Sequence, residues 1–337
     1  MKTIRCQGTP FELGQAHGVG AAELIRGSVA FYEKMFAHTC KLTWESVRTI
    51  AKGWESQIAT KWPKYHREME GIADGAQLPL IDILSLNIRT EIAFGMFDDG
   101  CTSLYWKTSK DSFLAQNWDW MEEQKQHLIL LNITNNDDWA NKHGVGVCLN
   151  AIKVPGCDQS RLPVHLALRA ALESTSADAA VQHLQNTGLA ASAHILIADQ
   201  EKSIGVESTA TTLRIIEMGT RDRIFHANHL LLAHEGVVDA VWLPDSIPRQ
   251  QRIEQLASDL ASAAKRAGSF EPNSRDIMGL LDDHEGFPYS ICRSEKGPLG
   301  MGATLFSIVM ELRGKKAKVH LGRPCHVEEA IELGFEE

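Results

Sequence analysis

The sequence contains no long apolar run, no excess of basic residues and no secretory leader pattern. None of its hydrophobic stretches approaches the roughly 20 residues that a membrane-spanning helix needs, and the opening MKTIRCQGTP lacks the apolar core of a signal peptide. The formal net charge of -9 offers no basic face to a phosphate backbone or an anionic membrane. We therefore expect neither a nucleic-acid partner nor a membrane partner.

The cysteines also lack a pairing pattern. All seven are scattered, and no two of them form a Cys-x-x-Cys pair, which favours neither a disulfide framework nor a zinc ribbon. The C-terminal Gly-Phe-Glu-Glu is not a peroxisomal address of the Ser-Lys-Leu type. We expect mostly buried, reduced cysteines in a cytoplasmic protein.

The chain has 337 residues, of which 44% are hydrophobic, and this is enough to form a large core. Helical periodicity fills the first hundred residues, and Thr9-Pro10, Thr43 and Pro63 are typical helix starts. The predicted helices in this part cover about 10–37, 43–60, 63–73 and 80–93. A break in the pattern follows at Gly95 to Gly100.

Short β-rich runs begin after Cys101 and alternate with pairs of helices. The predicted strands cover about 102–107, 113–118, 128–134, 145–149, 193–198, 203–207, 211–216, 303–312 and 317–321. The predicted helices between them cover about 163–174, 176–185, 248–266 and 276–281. This order predicts a layered α+β domain rather than a doubly wound sheet. Neither Gly-x-Gly motif continues into a nucleotide-binding fingerprint, so we expect no cofactor.

The boundary between the helical and β-rich parts falls on Gly100-Cys101. A thiol directly after glycine suits an intramolecular acyl shift, because glycine leaves the attacked carbonyl open. Hydrolysis would then free the α-amine of Cys101, whose ordinary pKa of about 7.7 to 8.0 lets it act as base for its own thiol. The alternative reading of this pair alone is a buried structural cysteine beside a turn glycine.

The flanking motifs carry a resemblance to a known family. They run in order along almost the whole chain: CQGTPFELGQAHG, KWPKYHREMEGIADGA, LNIRTEIAFG, DGCT, AQNWDW, HLALRAALESTS, FHANH, PYSICR, GATLFSIV and HLGRP. Together they resemble the acyl-coenzyme A:6-aminopenicillanic acid acyltransferases, also called isopenicillin N acyltransferases, of the Ntn-hydrolase superfamily. The resemblance implies a four-layer αββα sandwich with a helical N-terminal segment.

The resemblance also implies the catalytic residues. Cys101 resembles the self-cleaving nucleophile, so 1–100 would form a helical α chain and 101–337 a β chain that stay together. Asp119 matches an essential carboxylate that would orient the terminal amine; alternatively it ends a strand and caps a turn. Asn228 matches the amide of the oxyanion hole, with a structural turn asparagine as its alternative.

Three further residues match positions near the family's active site. Arg293 and Ser290 lie in PYSICR, and Arg293 would bind a substrate carboxylate or else form an internal salt bridge to a carboxylate such as Asp119. Thr209 stands where the family carries a serine. His226 and His229 have His-x-x-His spacing, but no third ligand is evident and the family uses no metal, so we expect packing histidines.

The chain is shorter than the family between Leu128 and Asn150, by enough to remove or rebuild a pair of strands and so reshape the pocket or expose a sheet edge. The resemblance implies an amidohydrolase and acyltransferase that acts on penicillin-type amides with acyl-CoA as substrate. Two alternatives remain: a general N-acyl amide hydrolase of the same fold, and an uncleaved, non-catalytic homologue.

Overall fold

The first 93 residues form one strand and a group of packed helices. The structure is a computed structural model that describes residues 1–93, 100–135, 143–266, 271–294 and 302–334, so most of the predicted break at 95–100 lies outside it. The elements of this part are β1 (Lys2–Gly8), α1 (Pro10–Met35), α2 (Trp44–Lys61), α3 (Pro63–Ala76), α4 (Leu80–Asn87) and α5 (Arg89–Ala93). Thr9 and Glu12 form a capping box at the start of α1, and Thr43 caps α2, as the sequence predicted.

Glycines allow α1 and α3 to pack in backbone contact. A methyl group on Gly14 would lie 1.9 Å from the carbonyl oxygen of Glu68, and one on Gly71 would lie 2.1 Å from that of Phe11. Side chains at these positions would therefore force the two helices apart. The pair holds the N-terminal segment together as a unit.

Beyond residue 100 strands and helices alternate as the sequence predicted. They are β2 (Gly100–Lys107), β3 (Ser112–Trp120), β4 (Ile129–Asn135), β5 (Gly146–Ala151), α6 (Val164–Leu172), α7 (Ala177–Thr187), β6 (Ala193–Ala198), β7 (Ser203–Ser208), β8 (Leu213–Glu217), β9 (Arg223–His226), α8 (Ser246–Arg266), α9 (Ser274–Leu281), β10 (Ala303–Glu311), β11 (Lys316–Arg323) and β12 (His326–Gly334).

These elements build four layers. One sheet has the strand order β12-β11-β10-β3-β2-β9 and the other β5-β6-β7-β8. The sheets face each other through β2, β3 and β9 on one side and β5, β6 and β7 on the other; α8 and α9 cover the first sheet, while α6 and α7 cover the second. The predicted α+β class and αββα layering are confirmed.

The region between Leu128 and Asn150 departs from a simple sheet. β4 does not join β5 but pairs in parallel with β1, so the N-terminal strand is attached to the part of the chain after Cys101. Among the described residues β5 is the first strand of the four-stranded sheet, and its residues are buried or partly buried.

Other differences from the predicted elements have simple causes. β1 and β9 were not predicted although their burial alternates, and β9 has only four residues. β12 is an edge strand whose residues are nearly all exposed. The helix predicted over 80–93 divides at Ile88, which leaves helical geometry. Among the described residues, none of the helices is long and apolar enough to span a membrane.

Candidate active site

Cys101 lies at the start of β2, at the meeting point of both sheets. In the antiparallel pairing of β2 with β3, Gly100 stands opposite Asp119 and Cys101 opposite Trp118. Cys101 is 1% exposed, yet it contributes to the wall of a cavity. The predicted nucleophile and the predicted carboxylate therefore reach one site because neighbouring strands carry them.

Gly100 is enclosed by charged groups. A methyl group on its Cα would lie 2.6 Å from Nη1 of Arg293 and 3.0 Å from Oδ2 of Asp119. Such distances are shorter than ordinary van der Waals contact, so any side chain here must displace one of these groups. Glycine at this position is thus required by packing as well as by the access that an acyl shift needs.

Asp119 carries an oxygen without a partner. Its Oδ1 accepts a hydrogen bond of 2.7 Å from the hydroxyl of Thr304, whereas its Oδ2 is buried and has no hydrogen-bond partner among the described residues. Burial raises the pKa of this carboxyl, although the nearby Arg293 and Arg249 act in the opposite direction. The free oxygen faces the residue whose carbonyl an acyl shift would attack.

Asn228, just after β9, holds the backbone nitrogen of Cys101. Its Oδ1 accepts hydrogen bonds from the N–H of Cys101 at 2.9 Å and from Nη2 of Arg249 at 2.8 Å, while its Nδ2 donates to the carbonyl oxygen of Ala151 at 3.1 Å. Two donors and one acceptor fix the orientation of the amide. In this state the amide nitrogen of Asn228 faces Ala151, and its role in an oxyanion hole stays a prediction.

Arg249 contacts Cys101 and was not among the residues that the sequence predicted for the site. Its Nη1 donates to the carbonyl oxygen of Cys101 at 2.6 Å and to the hydroxyl of Thr102 at 2.9 Å, and its Nε pairs with Asp245 at 2.7 Å. It lies in the first turns of α8, only 2% exposed. A signal existed: Arg249, Ile253 and Ala257 share one helix face at four-residue spacing, and the last two are buried.

Arg293 reaches the same cluster from the other side. Its Nη2 forms an ion pair with the carboxylate of Asp245, so one carboxylate joins the two arginines. The internal salt bridge that the sequence left open is therefore present, with Asp245 in place of Asp119. Arg293 is fully buried and does not belong to the cavity wall.

Ser290 and Thr209 have local partners. The hydroxyl of Ser290 donates to the carbonyl oxygen of Cys292 at 2.7 Å, and that of Thr209 contacts the hydroxyl of Thr212 at 2.8 Å. Neither residue belongs to the described cavity wall, so their predicted contacts with substrate stay predictions.

The two histidines of the His-x-x-His motif, His226 and His229, contact different partners. His226 is stacked on His194 with ring centroids 3.5 Å apart, and its Nε2 lies 2.8 Å from Glu207. His229 instead contacts the hydroxyl of Ser246, which also accepts the N–H of Asn228. Both act as supports of the segment that carries Asn228.

The cavity beside Cys101 has a volume of about 340 Å³ and aromatic walls. Its lining includes Trp118, Trp120, Phe306, Tyr32 and Trp242, with the cationic Arg89 and Lys153 and the imidazole of His165. Burial, and next the charge of Arg89, hold the pKa of His165 well below its usual range, so it is neutral near pH 7. The edge strand β5 supplies Val147, Leu149 and Ala151.

Comparisons with known proteins find similarity over most of the chain or nearly all of it. The family model of acyl-coenzyme A:6-aminopenicillanic acid acyl-transferase matches residues 106–326. The 40 kDa form of acyl-coenzyme A:6-aminopenicillanic-acid-acyltransferase from Emericella nidulans is 34% identical over 354 residues, covering 99% of this chain and 96% of that protein. The beta-alanyl-dopamine/carcinine hydrolase of Drosophila melanogaster is 20% identical over 379 residues, covering 97% and 94%.

Solved structures give weaker likenesses. A mutant conjugated bile acid hydrolase from Clostridium perfringens has a TM-score of 0.47 at 13% identity, covering 69% of this chain and 92% of that one. Penicillin V acylase from Agrobacterium tumefaciens has a TM-score of 0.44 at 10% identity, covering 69% and 86%. On the full-length identity of 34% and the matching family model, this chain belongs to the acyl-coenzyme A:6-aminopenicillanic acid acyltransferase family.

Proposed function

We propose that the chain cleaves itself between Gly100 and Cys101 and then uses Cys101 to transfer or hydrolyse the acyl group of an N-acyl amide, with acyl-CoA as an acyl donor. The observation that carries this proposal is the hydrogen bond between the backbone nitrogen of Cys101 and Oδ1 of Asn228, beside a cavity that Cys101 itself lines. After cleavage that nitrogen becomes the α-amine, and a partner for it is already in place.

Self-cleavage begins when Sγ of Cys101 attacks the carbonyl carbon of Gly100. The C–N bond breaks as the C–S bond forms, the α-amine takes up a proton, and water then hydrolyses the thioester to leave a carboxylate on Gly100. Asp119 would move protons in these steps; its unpartnered oxygen against Gly100 and a pKa raised by burial support this role. Asp119 would thus act first in self-cleavage of the precursor. After cleavage it would orient the α-amine of Cys101.

Acyl transfer follows the same chemistry on a substrate. The α-amine accepts the thiol proton, the thiolate attacks the acyl carbonyl, and the amine returns the proton to the leaving group. Water or the amino group of 6-aminopenicillanic acid then resolves the acyl-enzyme. Nδ2 of Asn228, which donates to the carbonyl oxygen of Ala151 in this structure, would stabilise the oxyanion together with backbone N–H groups.

The cavity suits an apolar acyl group attached to an anionic partner. Trp118, Trp120 and Phe306 offer apolar surface for the acyl chain, and Arg89 and Lys153 supply positive charge for a carboxylate or phosphate. We accordingly infer small-molecule amides or β-lactams and acyl-CoA as substrates.

The two chains would remain associated after cleavage. β1 of the N-terminal segment pairs with β4 of the C-terminal segment over seven residue pairs, and one hydrophobic core includes buried side chains of both, such as Ile92 and Ile195. Burial of apolar side chains in this core does not depend on the peptide bond between Gly100 and Cys101. Cleavage changes only the chain entropy that the bond restricts. We propose an α chain of 1–100 and a β chain of 101–337.

Intact mass under denaturing conditions tests the proposal. The wild type should give two fragments that meet at Gly100/Cys101, and Cys101→Ala should stay whole with the same fold by circular dichroism. A whole wild-type chain would reject self-processing and favour the non-catalytic homologue.

A second candidate is a general N-acyl amide hydrolase. It is supported by β5, which lines the cavity and lies in the region where the sequence predicts a difference from the family. Turnover of an N-acyl amide with and without 6-aminopenicillanic acid separates the two. Transfer predicts acylated amine as a product, whereas a hydrolase releases only free acid.

A further inference from the structure

Four potential metal ligands converge outside the wall of the cavity beside Cys101. Donor atoms of Asp282, His284, Cys292 and Cys325 all lie within 4.8 Å of one another, and the two sulfur atoms are 3.4 Å apart. The four residues are spread over more than forty positions of the chain, so no spacing in the sequence marks them. Only the fold brings the four side chains together.

Three of these ligands are presented by one anchored loop. Asp282 directly follows α9, and the loop continues through His284 to Cys292. Nδ2 of Asn117 binds both ends of this loop, donating to the carbonyl oxygens of Leu281 at 2.8 Å and of Ile291 at 2.9 Å. These are the residues immediately before Asp282 and Cys292, so the backbone at both ligands is fixed by a buried side chain.

The fourth ligand comes from a separate element. Cys325 lies in the turn between β11 and β12 and is exposed, as is His284, so an ion can enter from solvent. Oδ1 of Asp282 is buried and has no hydrogen-bond partner among the described residues. A bound cation would supply the missing partner of this carboxylate oxygen, which lies beside two thiols and an imidazole.

We propose that Asp282, His284, Cys292 and Cys325 form a structural zinc site. Two sulfurs, one imidazole and one carboxylate are ligands of Zn²⁺, which binds them tetrahedrally at about 2.0 to 2.3 Å. Such bonds place the ligand atoms about 3.3 to 3.8 Å apart, so the donors need to close by about one ångström, within the reach of side-chain rotation. Zinc replaces the protons of both thiols, which pass to solvent.

The site would tie the β11–β12 turn to the loop that leads into Arg293. Arg293 in turn packs against Gly100 and pairs with Asp245. With all four positions filled by protein the ion has a structural role, in contrast to a catalytic zinc with an open position. The site stands whether or not the proposed acyl transfer is correct.

Metal titration of the full-length protein tests the site without reference to its activity. Protein stripped with a chelator and kept reduced with a phosphine is titrated with Zn²⁺ against a chromophoric chelator, and with Co²⁺ to record the thiolate-to-cobalt absorption band. We expect one equivalent of tightly bound zinc and the visible bands of four-coordinate cobalt. Cys325→Ser and His284→Asn should each weaken zinc binding at least tenfold, and Cys325→Ser should also weaken the thiolate band.

Cys157→Ser is the matched control, because Cys157 is a partly exposed cysteine outside the cluster. Its zinc affinity should equal that of the wild type. Both ligand variants change exposed side chains, so the fold should persist. Failure of the reduced wild type to bind zinc, or equal affinity in Cys325→Ser and Cys157→Ser, would overturn the site. A Cys292–Cys325 disulfide in a protein that binds no zinc after reduction would overturn it in favour of a redox pair.

Discussion

The guanidinium of Arg249 donates a hydrogen bond of 2.6 Å to the backbone carbonyl oxygen of Cys101. The same side chain donates to Oδ1 of Asn228, the acceptor of the Cys101 N–H. Both backbone groups of the nucleophile are therefore bound within one network. Asp245 forms ion pairs with both Arg249 and Arg293 and so joins Arg293 to this network.

Arg249→Lys should slow both self-cleavage and turnover by about ten- to a hundredfold. A lysine ammonium cannot reach the Cys101 carbonyl, Asn228 and Asp245 together, and hydrogen bonds to charged groups contribute about 1.5 to 3 kcal/mol. The fraction of cleaved chain over time and kcat on an acyl amide measure the effect. Arg252→Lys on the same helix is the control, since Arg252 pairs with Asp283 and Glu285 instead. Equal rates in the two variants would contradict a role for Arg249.

Gly100→Ala should reduce the rate of self-cleavage by about tenfold or more. The added methyl group meets Arg293 and Asp119, and overpacking of this kind costs about 1 to 3 kcal/mol. The appearance of the two fragments on a denaturing gel gives the rate. Gly279→Ala provides the comparison, because a methyl group there has nothing within 4 Å. Wild-type kinetics in Gly100→Ala would show that the enclosure of Gly100 is unimportant.

Two substitutions of Asn228 separate its acceptor and donor roles. Asn228→Asp keeps an oxygen for the N–H of Cys101 and for Arg249, so we expect it to self-cleave, whereas Asn228→Leu should not. Turnover by the cleaved Asp variant should nevertheless fall by roughly 10² to 10³, the usual cost of losing an oxyanion donor. Mass spectrometry follows cleavage, and kcat follows the donor role. Full turnover in Asn228→Asp would remove Asn228 from the oxyanion hole.

The contribution of Glu91 to the free energy of unfolding should become less favourable as the pH rises towards neutrality. Burial raises the pKa of this carboxyl from 4.5 to about 7, although the N–H of Val164 donates to it at 2.7 Å. A carboxyl with a raised folded-state pKa is costly to ionise, so the penalty grows above pH 4.5 and is complete above pH 7, at about 3 kcal/mol.

Glu91→Gln should therefore raise Tm at pH 8 and leave it nearly unchanged at pH 4. Thermal unfolding of both proteins across this range is the measurement. Glu45→Gln, at an exposed position of α2, is the control and should show a constant difference from wild type. A Tm gain for Glu91→Gln that is the same at pH 4 and pH 8 would show that Glu91 is not the group responsible.

Much of the local structure could be predicted from the sequence, because its determinants are local. Thr9, Thr43 and Pro63 mark helix starts through hydrogen bonds and backbone angles within one turn. Edge strands could not be predicted in the same way. β12 carries no buried residue and so shows no alternation of buried and exposed positions. β1 does alternate, but its partner β4 lies more than a hundred residues away, and nothing local indicates that pairing.

The sequence by itself determined the order of the elements, the α+β class and the Gly100-Cys101 pair, since periodicity, capping and adjacency are properties of neighbouring residues. Tertiary structure alone decided which groups surround that pair. Arg249 reaches Cys101 across 148 positions, and Asp119 faces Gly100 through strand register. It also decided that Arg293 binds Asp245 and that Asp282, His284, Cys292 and Cys325 meet. Contacts between distant residues depend on how whole layers pack, and that information is spread over the entire core.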